Sequence, residues 1–433
     1  ILNYGADESW GPRMDGTMYM PFYGWDPSHP QFGQLTALVP QPNNVRDFYN
    51  TGVSANTNIA FDKAGDNYQT RFSFTNVSRT GIVPNSKLGR NWLSTNSSLN
   101  LTDKLTVSAN VNFQHEVYNN RPKDGYSSQT TGSFNQWFQR QLDMSTLRDY
   151  KRPDGTFRSW NIVSPTNPNP AYWDNPYTEV YENTQFDTYQ RIYGNITASY
   201  QLTNALSASV IARGNFLNME ETERIASGTL QQASYSQYLN NQDEVNYVGT
   251  LAFKEQYGDF TVDAAAFGEY RRNQRRFTDA ATAGGLAVPG LYTLEASIDR
   301  PTVQTRYFDQ RVNSLYGYAA VGYKDFLYLE GNIRNDWSST LPRDNNSFLY
   351  GGLSISFILS HFVEPNEFFS FGKLRDSFAR VGTDTNPYQI LHTYSIRNAY
   401  GSNPLFTVPD VIQIAQLLPI LFSSYEIFTE LLL

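Results

Sequence analysis

No cysteine occurs among the 433 residues, which excludes disulfide frameworks and thiolate metal sites. Histidine is nearly as scarce. His29, His115, His361 and His392 are the whole set, and none has a partner at the spacing of a zincin-type metal site. No run of about 18 apolar residues is present, so no helical membrane span is encoded. Nucleophile elbow, P-loop and dinucleotide-binding fingerprints are all missing. Charged residues are only 17% of the chain, and 33 Lys+Arg stand against 41 Asp+Glu, a net charge of −8. That balance argues against nucleic-acid binding, which needs a basic face. The acids of Glu220-Glu221-Thr222-Glu223 read as a solvated loop edge, because adjacent acids in a loop hold no catalytic geometry. These absences predict no catalytic residues, no metal site, no cofactor and no enzymatic activity.

Aromatic residues and turn formers are abundant instead. The 30 Tyr and 28 Phe beside 29 Gly and 21 Pro suit strands and turns, and they exclude a disordered chain. The dominant pattern is period-two alternation. Leu105, Val107, Ala109, Val111, Phe113 and Val117 share one face with His115, while Thr106, Ser108, Asn110, Asn112, Gln114 and Glu116 share the other. Residues 192–202 and 260–270 repeat it. Strands are expected near 52–61, 68–77, 92–101, 105–117, 188–202, 205–217, 244–256, 260–270, 311–323, 326–335, 347–358 and 372–381.

The connections have their own rhythm. Asp103-Lys104, Thr203-Asn204, Tyr257-Gly258-Asp259 and Lys324-Asp325 are tight turns, whereas 78–91, 118–187, 218–243, 271–310 and 336–346 are long excursions. Strands of ten residues or more, with short turns at one end and long loops at the other, predict an all-β fold. It is an antiparallel up-and-down transmembrane β-barrel with long extracellular loops. Such a barrel pairs every backbone group without a free edge, turns one face of each strand to lipid and the other to a wet lumen. Tyr and Trp near the strand ends fit interfacial belts. A soluble β-sandwich produces the same alternation with the apolar face buried, and it stands as the competing fold.

The chain starts at Ile1 and reads as a piece of a longer precursor. Its expected organisation is a segment 1–51 that follows a first barrel strand, then barrel strands and loops over 52–410, then a further barrel segment over 411–433. The loop 118–187 is too long for a plain linker. Its Trp160, Tyr172 and Trp173 are candidates for stacking on sugar rings or peptide side chains at the barrel mouth, with packing of the loop as the alternative. Arg271, Arg272, Arg275 and Arg276 follow the strand 260–270 at its extracellular end. They are candidates for contact with lipopolysaccharide phosphates, because arginine grips phosphate bidentately. An ion-pair patch is the alternative.

Several segments also resemble one family in order and spacing. Glu8-Ser9-Trp10-Gly11-Pro12-Arg13-Met14-Asp15-Gly16 is similar to the segment after the first barrel strand of SusC/RagA-like TonB-dependent outer-membrane transporters of Bacteroidetes. Asn44 with Asp47-Phe48-Tyr49-Asn50-Thr51-Gly52, then Gly81-Ile82-Val83-Pro84-Asn85-Ser86, resemble the next landmarks. The strongest match is Asp325-Phe326-Leu327-Tyr328-Leu329-Glu330-Gly331 with Arg334-Asn335-Asp336-Trp337-Ser338-Ser339-Thr340-Leu341-Pro342. Lys373-Leu374-Arg375 and Val381-Gly382-Thr383-Asp384 continue it. Residues 411–433 depart from the family pattern, with Phe428 where Gly is expected.

The resemblance implies part of a barrel of about 22 strands with a plugged lumen. Neither the family's N-terminal plug nor its TonB-contacting segment is in this chain. It implies nutrient uptake across the outer membrane of a Gram-negative bacterium, with an oligosaccharide or oligopeptide carried. A SusD-like surface lipoprotein would form the lid, TonB would act through the N-terminal region, and outer-membrane lipid would surround the barrel. Two other readings stay open: a structural or assembly subunit of a larger outer-membrane complex, and a secreted β-rich glycan-binding or glycan-active protein.

Overall fold

The computed structural model describes residues 3–122, 132, 134, 137–362, 370–391, 393–407 and 420–432. Thirteen strands make one antiparallel sheet whose spatial order is their chain order. They are β1 (Val53–Ala64), β2 (Tyr68–Thr80), β3 (Lys87–Asn100), β4 (Leu105–Asn119), β5 (Thr184–Gln201), β6 (Leu206–Ile225), β7 (Ser234–Tyr257), β8 (Phe260–Leu286), β9 (Ser297–Tyr323), β10 (Leu327–Ser338), β11 (Ser347–Ile358), β12 (Phe371–Thr383) and β13 (Ile420–Leu432). Among the described residues the other strands pair as three two-stranded ribbons. Each segment expected from alternation lies on one of β1 to β12, and β13 extends the same meander. His392 and residues 411–419 lie outside the described residues.

The two faces separate as the hydropathy pattern requires. Ile59, Val210, Leu315, Ile333 and Leu353 are 68%, 60%, 60%, 57% and 56% exposed. In a sandwich these rows would be pressed against a second layer; here they form the outside of a single wall. The opposite rows carry side-chain bonds that reach past an intervening strand, as from Arg334 on β10 to Glu269 on β8 at 2.9 Å. Such chords belong to the concave face of a curved sheet. The wall is therefore apolar outside and polar inside, the arrangement of a transmembrane barrel.

Close strand approach depends on glycine at particular places. A Cβ on Gly351 of β11 would lie 2.2 Å from the Asn332 carbonyl oxygen, and one on Gly194 of β5 would lie 2.0 Å from that of Asn110. At the short turn after β9, Lys324 and Asp325 adopt φ of 48° and 57°. A primed turn of this hand matches the twist of its hairpin.

The loop boundaries differ from expectation. Strands β6 to β9 run for 20, 24, 27 and 27 residues. Most of the expected loops 218–243 and 271–310 are strand, leaving connections only at 226–233 and 287–296. Glu220, Glu221 and Glu223 accordingly sit on β6 and not on a loop edge. About ten residues cross the hydrocarbon layer, so these four strands continue well beyond it.

The long connection between β4 and β5 folds with the segment before β1 into a compact lobe. Its core contains Phe22, Phe48, Val83, Phe134, Phe138, Met144, Leu147, Trp160, Ile162 and Tyr177. Edge-to-face ring pairs run through it: Phe48–Phe134 at 5.0 Å, Phe134–Phe138 at 5.0 Å and Phe138–Trp160 at 5.3 Å. The Gly81–Ser86 loop joins through Val83 and through Asn85, whose side-chain amide donates to the Val180 carbonyl at 2.8 Å.

Candidate functional site

The inward face is a continuous surface of amides, hydroxyls and paired charges. On β3 and β4, Arg90 pairs with Glu116 at 2.5 Å, the Trp92 indole donates to Asn112, and Asn112 donates to Asn110 at 2.8 Å. On β7 to β11 the centre is Arg334. Its guanidinium donates to Asp336 at 2.8 Å, Glu269 at 2.9 Å and Ser314 at 2.8 Å, and it lies 4.7 Å above the Tyr316 ring. Asn246 donates to Glu269 at 2.5 Å, and the Tyr350 hydroxyl donates to Asp336 at 2.7 Å. This wall presents fixed donors and acceptors to water or to a polar solute. Among the described residues no group of His, Asp or Glu is placed to hold a metal ion.

Nearer the long-loop end, the segments 334–342 and 381–384 meet. Asp384 accepts from Ser338, from Thr340 at 3.2 Å and from Gln310 at 2.8 Å. Asp384 and Gln310 border a polar concavity of about 610 Å3 lined also by Glu244, Arg271, Asn273, Thr383, Thr385 and Asn386. Sequence reasoning did not single out Arg334, Asp336 or Asp384 as a set. Arg334, Asp336 and Ser338 share one parity of β10, and assigning that parity to the lumen is the signal that finds them.

The lobe is locked by buried charge. Asp26 and Arg158 are each 4% exposed and pair at 2.8 Å, and Arg152 reaches the same Asp26 oxygen at 2.8 Å. Burial works against the Asp26 carboxylate. Bonds from the Ser28 hydroxyl and amide and from both guanidinium groups prevail and hold it well below the usual carboxylate range. A cavity of about 460 Å3 opens in the lobe, lined by Asn3, Tyr4, Glu8, Ser9, Trp10, Tyr19, Phe22, Gln139, Gln141 and Trp160 among others.

The three aromatic candidates take different places. Trp160 is 2% exposed and packs in the lobe core, with its indole N–H lacking a hydrogen-bond partner. Trp173 packs against that core and donates its indole N–H to Asp7 at 2.7 Å. Tyr172 is 67% exposed. Packing therefore accounts for the two tryptophans, and only Tyr172 presents an open ring.

The four arginines likewise do not form one patch, and they lie within β8 and not on a loop. Alternation sends Arg271 and Arg275 inward, where Arg271 lines the polar concavity and Arg275 donates to Asn240 at 2.9 Å and Tyr238 at 2.8 Å. Arg272 and Arg276 point outward. Arg272 makes a two-pronged pair with Asp309, with both bonds at 3.0 Å.

No protein-family model matches the chain. The chain is similar to the TonB-dependent receptor P3 of Formosa agariphila, with 22% identity over 367 residues, covering 81% of this chain and 35% of that receptor. It superposes on the RagAB peptide transporter with a TM-score of 0.70 and 14% identity, over 86% of this chain and 42% of that one. In the 'open-open' state of the RagAB peptide importer the score is 0.73 at 14% identity, over 89% and 43%. The chain thus spans less than half the length of the relatives it matches. The fold and its two-faced wall are those of a transmembrane β-barrel of the outer-membrane kind. Within that class its wall is similar in fold to the RagAB barrel and in sequence to a TonB-dependent receptor.

Proposed function

We propose that this wall belongs to a TonB-energised importer of oligosaccharides or oligopeptides whose extracellular mouth is covered by a SusD-like lipoprotein. The single observation that supports it most is the inward surface: Asn, Ser, Thr and paired charges line a bore on a fold shared with a peptide importer. The role assigned to the chain is binding and passage of a polar solute, with no bond made or broken. The lobe formed by residues 3–50 and the β4–β5 connection is the part that meets lid and ligand, with Tyr172 as its open aromatic contact.

Deleting the gene and supplying oligopeptides or oligosaccharides as sole nutrient tests this reading. A growth defect on one class, together with co-purification of a surface lipoprotein, is expected. Unchanged growth on both classes, with the barrel recovered in a complex with other outer-membrane machinery, would favour the assembly role instead.

A further inference from the structure

The outward face of the wall carries a cationic row at one defined height. Tyr247 on β7 and Tyr270 on β8 are register partners, stacked at 6.3 Å, and the same row continues through Asn313 to Trp337. About ten residues below, Tyr257, Phe260 and Tyr323 make a second aromatic row at the short-turn end. Ten residues at about 3.3 Å each, tilted by about 40°, span roughly 25 Å, the height of an apolar band between two aromatic girdles. The Tyr247–Tyr270 row therefore marks the outer interface of the membrane.

The next outward positions above it are Arg272 on β8 and its register partner Arg311 on β9. Both pair with Asp309, Arg272 at 3.0 Å and Arg311 at 3.1 Å. Further out, Arg276 lies 5.5 Å over the Tyr307 ring. The other outward carboxylate nearby, Asp243 on β7, is opposite Gln274. Three guanidinium groups thus face two carboxylates. Asp309 occupies only part of the donor set, since each guanidinium carries five N–H groups. It holds Arg272 and Arg311 side by side with donors to spare, the presentation that suits a phosphate's several oxygens. This surface is outside the wall, so its exposure does not depend on what fills or closes the bore.

We infer that Arg272, Arg311 and Arg276 form a phosphate clamp for the lipid A portion of lipopolysaccharide in the outer leaflet. Asp309 acts as the positioning residue that sets the two inner guanidinium groups. Arg271 and Arg275, on the opposite face of the same strand, take no part. The inference goes beyond import and does not rest on what the bore carries.

The test uses the protein purified from outer membranes in detergent. Binding of intact lipopolysaccharide is compared with binding of the same material treated with alkaline phosphatase and with binding of phosphatidylglycerol. Intact lipopolysaccharide is expected to bind at least several-fold more tightly than either. That preference should be lost in the double variant Arg272→Gln/Arg311→Gln and kept in Arg271→Gln/Arg275→Gln. Asp309→Asn is expected to weaken the preference in part, because the amide keeps one acceptor but loses the two-pronged hold that sets Arg272 beside Arg311; an unchanged preference in this variant removes the positioning role. Equal binding of intact and dephosphorylated material overturns the proposal, as does equal loss from the inward and outward pairs. Tighter binding of phosphatidylglycerol would also overturn it, by assigning the clamp to phospholipid.

Discussion

Arg158 and Asp26 are joined by a 2.8 Å bond between groups 132 residues apart, and neither is open to solvent. The bond ties the segment that precedes β1 to the connection between β4 and β5. Arg152 completes it from the same connection. Removing one member leaves buried charge without its counterpart, a loss of about 3–5 kcal/mol. Asp26→Ala should therefore loosen the lobe while leaving the barrel wall folded. Limited proteolysis would show cleavage within 120–183, with the strands still resistant. Because the Asp26 carboxyl is held below its unfolded value, its contribution is present above that value and lost only as pH falls through the folded one. The lobe of the native protein should show no loss from this group between pH 5 and 8.

A second carboxyl in the same lobe has the opposite sign. Burial pushes Asp174 up to about 6, and bonds from the Leu230 amide and the Glu179 side chain only partly offset this. A raised carboxyl contributes fully below its unfolded value of 3.8, and the contribution is lost as pH rises through about 6. Asp174→Asn should remove that dependence and stabilise the lobe at pH 8 by on the order of 2–3 kcal/mol. Hydrogen-exchange protection factors across 170–183, corrected for the intrinsic pH dependence of exchange, read it: the native protein should be less protected at pH 8 than at pH 5, and the variant equally protected at both.

On the bore side, Arg334 serves three acceptors on three strands. Arg334→Met keeps most of the side-chain length and removes the charge, leaving Glu269 and Asp336 facing each other's field. A loss of about 1–3 kcal/mol is expected for the unsatisfied groups. It should appear as a lower temperature at which the barrel loses its compact migration in detergent gels.

Gly351 has no room for a side chain. Valine there would drive Cβ into the backbone of β10, where the Asn332 oxygen lies 2.2 Å from the built position. Gly351→Val should block membrane assembly, measured as loss of heat-modifiable protein from outer-membrane fractions. Gly89, with nothing within 4 Å of its Cβ position, should accept alanine without that loss.

The lower halves of the strands were legible because lipid and lumen impose opposite chemistry on alternate residues. On β4 that contrast is unbroken from Leu105 to Phe113. Above the membrane the contrast disappears. Arg272, Gln274 and Arg276 face outward on β8 while Arg271, Asn273 and Arg275 face inward, so both faces are polar and the period vanishes although the backbone ladder continues. The same cause hid the face of each arginine and made 271–310 read as loop. For Trp160 and Trp173 stacking on a ligand and packing of the loop both stayed open in the sequence, because a loop's composition does not report which rings its own core consumes. Asp384 could not be joined to Ser338 and Thr340 from sequence, since 46 and 44 residues separate them and only the curvature of the wall brings them together.

The most direct test uses the absence of native cysteine. Single cysteines placed at Ile196, Val210, Leu251 and Leu315, and at the neighbouring Thr197, Ser209, Thr250 and Ser314, sample both faces of β5, β6, β7 and β9. With the protein in liposomes, the first set should be quenched by lipid-borne probes and shielded from a charged maleimide. The second set should react with the maleimide once the bore is opened by mild urea. Maleimide reaction at Val210 and Leu315, with Ser209 and Ser314 reached only from lipid, would contradict the account.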